Sequence, residues 1–512
     1  MNAFPVARNK FLDWNRIVIS LGMGFFVLYI LSNTRADPDL WGYLAFGRLF
    51  WKTGKFPYHD VFAYVPTKEI WIYHEWLTGV LFYPIYKSLG GAGLQLLKYV
   101  LGSLTAVLVY MTARQRGARP FPILIALFCV SRLFAYGYSP VRAQVFTYLF
   151  FVLYLYILET FRRDRRWQRL LWLVPVQLMW SNLHGGFLAG PGLLFLYGLG
   201  ESLSGRRCRP FLISFVACGL VTLINPYGIN YWKYIIEAVS MDRQHIWEWH
   251  SVFRLIREGY PSIAYVDMLS VLVLSSVFLV WWRKRDWTDV IVLATTACLG
   301  VAHFRHQVFF LLAAAVYMPV VFTLFFDDVE AHQHVVGRRY LLKGTVPLIF
   351  SACLAVLFGY RFIARSPLAL ETPPRHDEQD TSRVYYPIGA VKYIKTNDLN
   401  GNILPVFGWG EFVIWTLYPS CRVGMDGRYE TVYPDDLCKE YWDFHLGRDG
   451  WRTFLYKYPH DMVIVKTDSR THRLLENEPG WKEAYADVGC ALFLKEKMHN
   501  APAARLKKRG QP

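Results

Sequence analysis

Long apolar runs recur along this 512-residue chain from residue 17 to about residue 361. Hydrophobic residues make up 54% of the sequence and aromatic residues 17%, and the mean hydropathy is +0.20. A soluble chain of this length rarely carries so many long apolar runs. The pattern therefore predicts a polytopic α-helical membrane domain. After residue 361 the composition turns polar and mixed, which indicates a soluble domain of roughly 150 residues.

Hydropathy divides the apolar region into about eleven predicted transmembrane helices. Their predicted bounds are 17–34, 94–112, 120–138, 141–161, 168–184, 186–203, 210–225, 266–282, 288–304, 306–326 and 341–361. The loops between them carry most of the excess Lys and Arg behind the net charge of +17. Basic loops of this kind set membrane topology, so the charge does not indicate nucleic-acid binding.

Six basic clusters decide the predicted orientation of these helices. The clusters lie within residues 8–16, 114–119, 162–166, 206–209, 283–285 and 338–343. All six fall on one side of the membrane if residues 74–89 do not cross it, so this segment is predicted to be an interfacial helix. The N-terminus is then cytoplasmic. The long first loop, the loop 226–265 and the C-terminal domain are external.

The sequence predicts four successive regions. Residues 1–361 form the transmembrane domain, with residues 35–93 as its first external loop and interfacial helices. Residues 362–383 contain several prolines and charges and are predicted to be a linker. Residues 384–498 are predicted to form an external α/β domain, with strands at 461–465 and 491–495. Residues 499–512 are basic and typical of a disordered tail.

The acidic tripeptide Asp37-Pro38-Asp39 follows the first apolar run and opens the first external loop. Asp37 is well placed to cap the next helix, with Pro38 at the first helical position. Asp39 would then lie in the first turn. There it either complements the helix dipole or presents a carboxylate to a substrate hydroxyl as general base.

Further along the first loop, Asp60, His74 and Glu75 are candidate substrate-binding residues. In the plainer interpretation Asp60 is a turn residue, and His74 and Glu75 anchor the interfacial helix. In the other, these side chains and Asp39 form an acid/base or metal-binding cluster. The spacing fits no standard metal motif, so it identifies no metal.

Basic residues at predicted external helix ends are candidate contacts for a lipid phosphate. Arg142 either meets a phosphate at the interface or extends along the membrane to water. His184, followed by two glycines, either carries a proton or makes a packing hydrogen bond. Arg305 and His306 lie between two predicted spans, where charge is costly unless it faces a cavity. A guanidinium matches phosphate oxygens in a bidentate way, which favours Arg305 as a phosphate contact.

Three strings in the first loop resemble those of a known membrane-enzyme superfamily. They are Asp-Pro-Asp-Leu-Trp-Gly-Tyr at 37–43, Gly-Lys-Phe-Pro-Tyr-His-Asp at 54–60 and the His-Glu-Trp-Leu box at 74–77. Together they resemble a bacterial branch of the GT-C superfamily. This superfamily includes protein O-mannosyltransferases, aminoarabinose transferases and oligosaccharyltransferases. The resemblance implies a GT-C fold and a polyprenyl-phosphate sugar as donor. It also implies that an early acidic residue of the first external loop is the base, and Asp39 or Asp37 matches that position.

The resemblance further implies that a second acidic residue or a divalent metal assists the base, and the sequence leaves its identity open. No other cofactor is expected. The expected partners are membrane lipid, a lipid-linked sugar donor, and a glycan, protein or lipid acceptor. The expected location is the bacterial inner membrane, with the C-terminal domain in the periplasm.

Two functions from different classes account for these features. In the first, the protein is a glycosyltransferase that acts on the external face by a single displacement. In the second, it is a transporter or flippase for a lipid-linked or anionic substrate, and its intramembrane charges line a translocation path. The acidic external loop, the odd number of predicted spans and the lack of a visible internal repeat favour the transferase.

Overall fold

The computed structural model describes residues 10–137, 140–259, 286–332, 345–375 and 385–496. These residues form two compact units. The helical unit contains residues up to 34, 91–232 and 239–369. The mixed unit contains residues 35–90, 233–238 and the chain from residue 370 onward. The predicted span 266–282 lies outside the described residues.

Helices dominate the described chain. In order, the α-helices are Lys10–Ile30, Leu40–Thr53, Trp76–Gln115, Pro120–Gly137, Gln144–Asp164, Gln168–Leu171, Leu173–Leu183, Ala189–Leu203, Arg209–Val221, Ile229–Ser240, Val252–Arg257, Trp287–Ala302, Gln307–His332, Val346–Ala364, Ile388–Thr396, Gly410–Leu417, Tyr429–Val432, Asp435–Leu446, Trp451–Lys457 and Arg470–Leu475.

Four helices in the described part of the chain are long and apolar enough to cross a membrane. They are Trp76–Gln115, Gln144–Asp164, Phe304–Asp328 and Val346–Ala364. Shorter apolar helices lie at Ile17–Ile30, Pro120–Val130, Arg209–Val221 and Trp287–Ala302. All eight overlap predicted spans, which is the pattern of a multi-pass membrane protein. The total of eleven stays a prediction.

The helix Trp76–Gln115 is two helices in one continuous assignment. Gly90 interrupts it with φ 60° and ψ −154°, a backbone conformation that L-residues with side chains rarely adopt. The boundary between the two compact units falls at the same glycine. Residues 76–89 are therefore a helix separate from the apolar segment that follows. Their predicted location at the membrane interface stays a prediction.

In the helical unit, the first helix packs along Val346–Ala364. Phe26, Leu124 and Phe358 are buried in a shared apolar cluster. The two backbones approach closely at Gly22, where an added Cβ would lie 2.7 Å from the carbonyl oxygen of Ser351. These contacts join the first apolar segment of the unit to the last.

The mixed unit is built around a five-stranded sheet with strand order β2-β1-β3-β5-β4. The strands are β1 Gly401–Leu404, β2 Cys421–Val423, β3 Met462–Lys466, β4 Trp481–Ala486 and β5 Cys490–Lys495. β1 pairs in parallel with β2 and β3, and β5 pairs antiparallel with β3 and β4. The strands predicted at 461–465 and 491–495 are confirmed within one residue.

Residues of the first predicted loop are part of the same unit as this sheet. The amide of Tyr64 donates to the carbonyl oxygen of Val423 at 3.3 Å, and the amide of Val423 donates to Phe62 at 2.9 Å. The helix Leu40–Thr53 packs on the helix Gly410–Leu417. The first loop and the C-terminal residues thus fold together, and the predicted domain boundaries stay predictions.

Candidate active site

Asp39 immediately precedes the helix Leu40–Thr53. The sequence predicts that this helix starts at Pro38, and the structure starts it two residues later. The side chain of Asp37 accepts a hydrogen bond from the amide of Asp39 at 3.1 Å. A helix-capping residue makes the same kind of bond to the amide two residues after it. The Asp39 side chain makes no capping hydrogen bond to the helix. Asp37 therefore shapes the turn that presents Asp39.

Glu411 is a buried carboxyl group next to this helix. It lies in the first turn of Gly410–Leu417 and is 5% exposed. Its Oε2 accepts a hydrogen bond from the amide of Gly42 at 3.1 Å. A Cβ at position 42 would lie 2.6 Å from that oxygen. The glycine at position 42 thus gives the Glu411 carboxyl group access to the backbone of the first helical turn.

Asp39 and Glu411 converge on Gly427. An ideal Cβ at Gly427 would lie 3.0 Å from Glu411 Oε1 and 3.4 Å from Asp39 Oδ1. Burial raises the pKa of Glu411 well above its ordinary value, and the charges of Asp39 and Asp426 raise it further. The Arg428 guanidinium opposes this rise without cancelling it. Burial and the neighbouring carboxylates thus favour the neutral form of the Glu411 carboxyl group.

Arg428 connects the first loop to the loop after β2. Its guanidinium is 2% exposed and binds Asp60 at 2.5 Å and Asp426 at 2.7 Å. It also lies 5.0 Å from the ring centroid of Phe62 and 4.8 Å from that of Trp71. Burial by itself would lower the pKa of Arg428, but the two carboxylates raise it above its ordinary value. The ion pairs fix the Asp-Gly-Arg turn against the first loop.

Asp60 is held by contacts within the protein. Besides Arg428, it accepts hydrogen bonds from the amides of Phe62 at 3.0 Å and Ala63 at 2.6 Å. These bonds are those of a turn residue. The structure thus places Asp60 beneath the Asp-Gly-Arg turn, and its predicted contact with substrate stays a prediction.

His74 and Glu75 lie on the approach to the helix that begins at Trp76. His74 stacks on Tyr234, whose hydroxyl lies 3.1 Å from His74 Nδ1 and 3.1 Å from Glu430. The nearest distance between the ionisable atoms of His74 and Glu75 is 3.7 Å. Tyr234 therefore joins the predicted histidine to an acidic residue from the C-terminal part of the unit.

Tyr73 connects these groups. It is 3% exposed. Burial raises the pKa of its hydroxyl well above the ordinary value, and the charges of Glu411 and Glu75 add to the rise, as does that of Asp39. The structure thereby places Asp39 and Glu75 where the charges of both act on Tyr73, and the predicted cluster of these residues stays a prediction. It adds Glu411, which the sequence did not single out as an acidic partner.

Glu411 and Arg428 were not predicted as site residues, and the sequence indicates the two to different degrees. Glu411 is the acidic residue in the apolar segment 406–415. Burying a carboxyl group costs free energy unless the group is paired or hydrogen-bonded. The string Asp426-Gly427-Arg428 has the composition of an ordinary turn with a local ion pair. The ion pair is present, but it also captures Asp60 from a distant part of the chain, which no local pattern indicates.

In the helical unit, Arg142 and Arg305 act on the same carboxylate. Arg142 forms an ion pair with Glu248 at 3.3 Å. Desolvation by itself would raise the pKa of Glu248, but the charges of Arg142 and Arg305 lower it below its ordinary value. The guanidiniums of Arg305 and Arg243 lie 4.6 Å and 4.1 Å from the ring centroid of Trp249. The predicted phosphate contacts are thus brought together around the segment 241–251.

His306 belongs to this cluster, whereas His184 contacts a separate turn. His306 lies edge-on to Trp249, with ring centroids 5.6 Å apart. His184 Nδ1 accepts from the amide of Gly186 at 2.9 Å and lies 2.7 Å from the hydroxyl oxygen of Thr147. These bonds match the packing alternative for His184.

Among the residues that the structure describes, one set of three His and carboxylate side chains has ligand atoms close enough for a metal. It consists of His472, Glu476 and Glu483, in the C-terminal part of the mixed unit. His472 Nε2 already lies 2.8 Å from Glu483, and both glutamates are largely exposed. This arrangement is that of an ordinary surface ion pair, and it does not identify a metal for Asp39.

No protein-family model matches this chain, and no curated protein matches it. Two solved structures match nearly its whole length. The oligosaccharyltransferase of Archaeoglobus fulgidus, in complex with zinc and sulfate, has a TM-score of 0.53 and 11% identity, over 93% of this chain and 73% of its own. ArnT from Cupriavidus metallidurans, bound to undecaprenyl phosphate, has a TM-score of 0.54 and 13% identity, over 94% and 98%.

The chain has the GT-C fold. The match covers almost the entire chain in both comparisons, so it includes the apolar helices as well as the later residues. The predicted GT-C resemblance is confirmed at the level of the fold. At this identity the fold alone carries over, because one fold supports many functions. The GT-C fold and the apolar helices together make this a multi-pass membrane protein.

Proposed function

We propose that this protein is an integral membrane glycosyltransferase that moves a sugar from a polyprenyl-phosphate donor to an acceptor on the external face. The observation that carries the proposal is the carboxyl cluster of Asp39 and Glu411, built into a GT-C fold. Two of the solved structures that match the chain are glycosyltransferases, and one of them was crystallised with undecaprenyl phosphate.

Asp39 is the proposed general base, and Asp37 is the alternative. Asp39 takes the proton of an acceptor hydroxyl while the hydroxyl oxygen attacks the anomeric carbon of the sugar. The bond between that carbon and the phosphate oxygen breaks, and the lipid phosphate leaves with the electron pair. Because Asp37 uses its side chain to hold the amide of Asp39, its role is to position the base. One displacement of this kind inverts the anomeric configuration.

Arg142 and Arg305 are the proposed contacts for the donor phosphate. Support comes from the position of both guanidiniums around Glu248, a carboxylate that occupies them in this structure. Two arginines that already stabilise one oxyanion have the charge and geometry to stabilise another. In the reaction they would stabilise the negative charge that develops on the departing phosphate.

The proposed location is the bacterial inner membrane, with the N-terminus in the cytoplasm and the catalytic face in the periplasm. The side-specific basic loops support this orientation. The acceptor is a glycan, protein or lipid hydroxyl. Zinc is present in one of the matching structures, so the assay below also tests whether a divalent metal is required.

The test uses the purified full-length protein in lipid nanodiscs with a panel of labelled polyprenyl-phosphate sugars. The proposal expects release of the sugar from at least one donor, and no release by Asp39→Asn. The panel is run with EDTA and with added Mg²⁺, Mn²⁺ or Zn²⁺. If no donor is consumed, and sealed vesicles with the protein move a lipid-linked sugar across the bilayer, the transporter function replaces this one.

A further inference from the structure

We infer that Glu411 is a positioning residue that keeps a proton and shares it with Asp39 through a carboxyl–carboxylate hydrogen bond. The inference deepens the proposed function and rests on it for the catalytic consequence. The shared proton itself is a property of the structure and has its own readout.

The first argument is geometric. The side-chain oxygens of Glu411 and Asp39 both lie within 3.4 Å of one point, the ideal Cβ position of Gly427. The other oxygen of Glu411 is oriented by the amide of Gly42. That bond leaves Oε1 as the oxygen that faces Gly427. A side chain at position 427 would therefore lie against both carboxyl groups, and glycine avoids that contact.

The second argument concerns charge. The titratable groups that act on Glu411 come from four parts of the mixed unit: Asp39, Asp426, Arg428, Tyr73 and Tyr386. The N–H groups of Arg428 bind Asp426 and Asp60. The buried Glu411 therefore faces two carboxyl groups and a cation that is already engaged. Two adjacent carboxyl groups in such a site do not both ionise, and one of them retains a proton.

Burial decides which of the two carries the proton. Glu411 is 5% exposed, and the ionised form of a buried carboxyl group loses more hydration energy than that of a less buried one. Glu411 is thus the member of the pair that retains the proton. A hydrogen bond from its carboxyl group fixes the orientation of the Asp39 side chain.

A pH dependence follows from this arrangement. At low pH the pair gains a second proton and the base is lost. At high pH Glu411 ionises, Asp39 loses its hydrogen bond and faces a second negative charge, and activity falls again. The acid and alkaline limbs of the pH profile therefore report apparent pKa values of the pair, and not of either residue alone. Glu411→Gln keeps a neutral donor and an acceptor for Gly42 but has no proton to lose.

The experiment combines infrared spectroscopy with pH profiles of sugar transfer. In wild type at pH 7 we expect a carbonyl band from a protonated carboxyl group, absent in Glu411→Gln and shifted in Asp39→Asn. The exposed control Glu476→Gln leaves it unchanged. In the pH profile of sugar transfer, Glu411→Gln should still lose activity at low pH but no longer at high pH. Glu411→Ala should lose at least about 10-fold in kcat at every pH.

Three results would overturn the inference. Wild type and Glu411→Gln show the same infrared bands, or their pH profiles superimpose, or a divalent metal removes the band and is required for transfer. In the last case the two carboxylates are metal ligands. If the band behaves as expected while no donor is consumed, the shared proton stands and the proposed function fails.

Discussion

Two groups of charges in this protein, each with a buried glutamate, differ in their balance. In the helical unit, the described residues include four arginines that bind four carboxylates: Arg116, Arg162, Arg165, Arg206, Glu159, Glu201, Asp286 and Asp289. In the mixed unit, burial and the charges of Asp39 and Asp426 outweigh Arg428 at Glu411. The balanced group is a structural ion-pair network, and the acid-rich group has the character of a reactive site.

Glu201 shows what balance means at a single residue. It is fully buried, and it binds Arg162 at 3.0 Å, Arg165 at 2.8 Å and Arg206 at 2.7 Å. All three are charge-assisted contacts, which stabilise the ionised carboxylate. Glu411 is almost as buried, but its Oε2 accepts a hydrogen bond from a backbone amide and not from an arginine. Equal burial thus has opposite chemical consequences in the two groups.

Removing one arginine from each group gives the largest expected difference in stability. Arg428→Met leaves Asp60 and Asp426 buried without the cation they share, so it should lower the free energy of unfolding by about 3–5 kcal/mol. Arg162→Met leaves each carboxylate partner of Arg162 with another arginine, Arg116 for Glu159 and Asp289 and Arg206 for Glu201 and Asp286. It should therefore cost less, about 1–3 kcal/mol. Thermal unfolding of the two variants and wild type in one detergent measures both losses of stability. Equal losses, or a larger loss for Arg162→Met, would contradict the comparison.

The same isosteric substitution should have opposite effects in the two groups. Glu201→Gln removes a charge that three arginines stabilise and should cost about 1–3 kcal/mol at pH 7. Because the pKa of Glu411 is raised on folding, wild type loses stability as pH rises from the ordinary glutamate pKa toward the raised one. Glu411→Gln removes that loss, so its stability relative to wild type should increase from pH 5 to pH 8.

The check is urea or thermal unfolding at four pH values between 5 and 8. A constant offset between Glu411→Gln and wild type over this range would mean that Glu411 is ionised in both the folded and the unfolded protein, which would contradict a raised pKa of Glu411.

Glu248 offers the smallest of the expected effects. Glu248→Gln removes the carboxylate that Arg142 and Arg305 share, so a donor phosphate should meet less competition and bind about 3- to 10-fold more tightly, about 1 kcal/mol. The matched control is Glu258→Gln in the same predicted loop, 226–265, which loses contacts with Arg254 and His250. Titration with undecaprenyl phosphate measures the affinity. Weaker binding by Glu248→Gln alone would show that Glu248 holds the two arginines in place.

The sequence was sufficient to predict the membrane class, the GT-C fold and two strands. These features depend on periodicity and on strings of neighbouring residues, which a single chain displays directly. It also predicted Asp39 as the candidate base, from the acidic tripeptide beside a helix start, and that role stays a prediction. It misplaced that start by two residues, because the Asp37 side chain supports an extra turn before Leu40.

Glu411 and Arg428 illustrate what sequence could not provide. Their partners, Asp39 and Asp60, lie more than 360 residues away in the chain, as does Gly42 from Glu411. Local patterns describe an apolar helix and a plain turn at these positions. The significance of each residue comes from the pairing of the first loop with the C-terminal sheet, which depends on tertiary structure.

The central claim is that Asp39 acts on the reaction while its neighbours serve structure. The most direct measurement is single-turnover release of labelled sugar from its polyprenyl phosphate by wild type, Asp39→Asn and Asp37→Asn, with donor affinity determined for each. The account predicts unchanged affinity in Asp39→Asn with a 10²- to 10⁴-fold slower release, and a much smaller decrease in Asp37→Asn. Release by Asp39→Asn at the wild-type rate would contradict it.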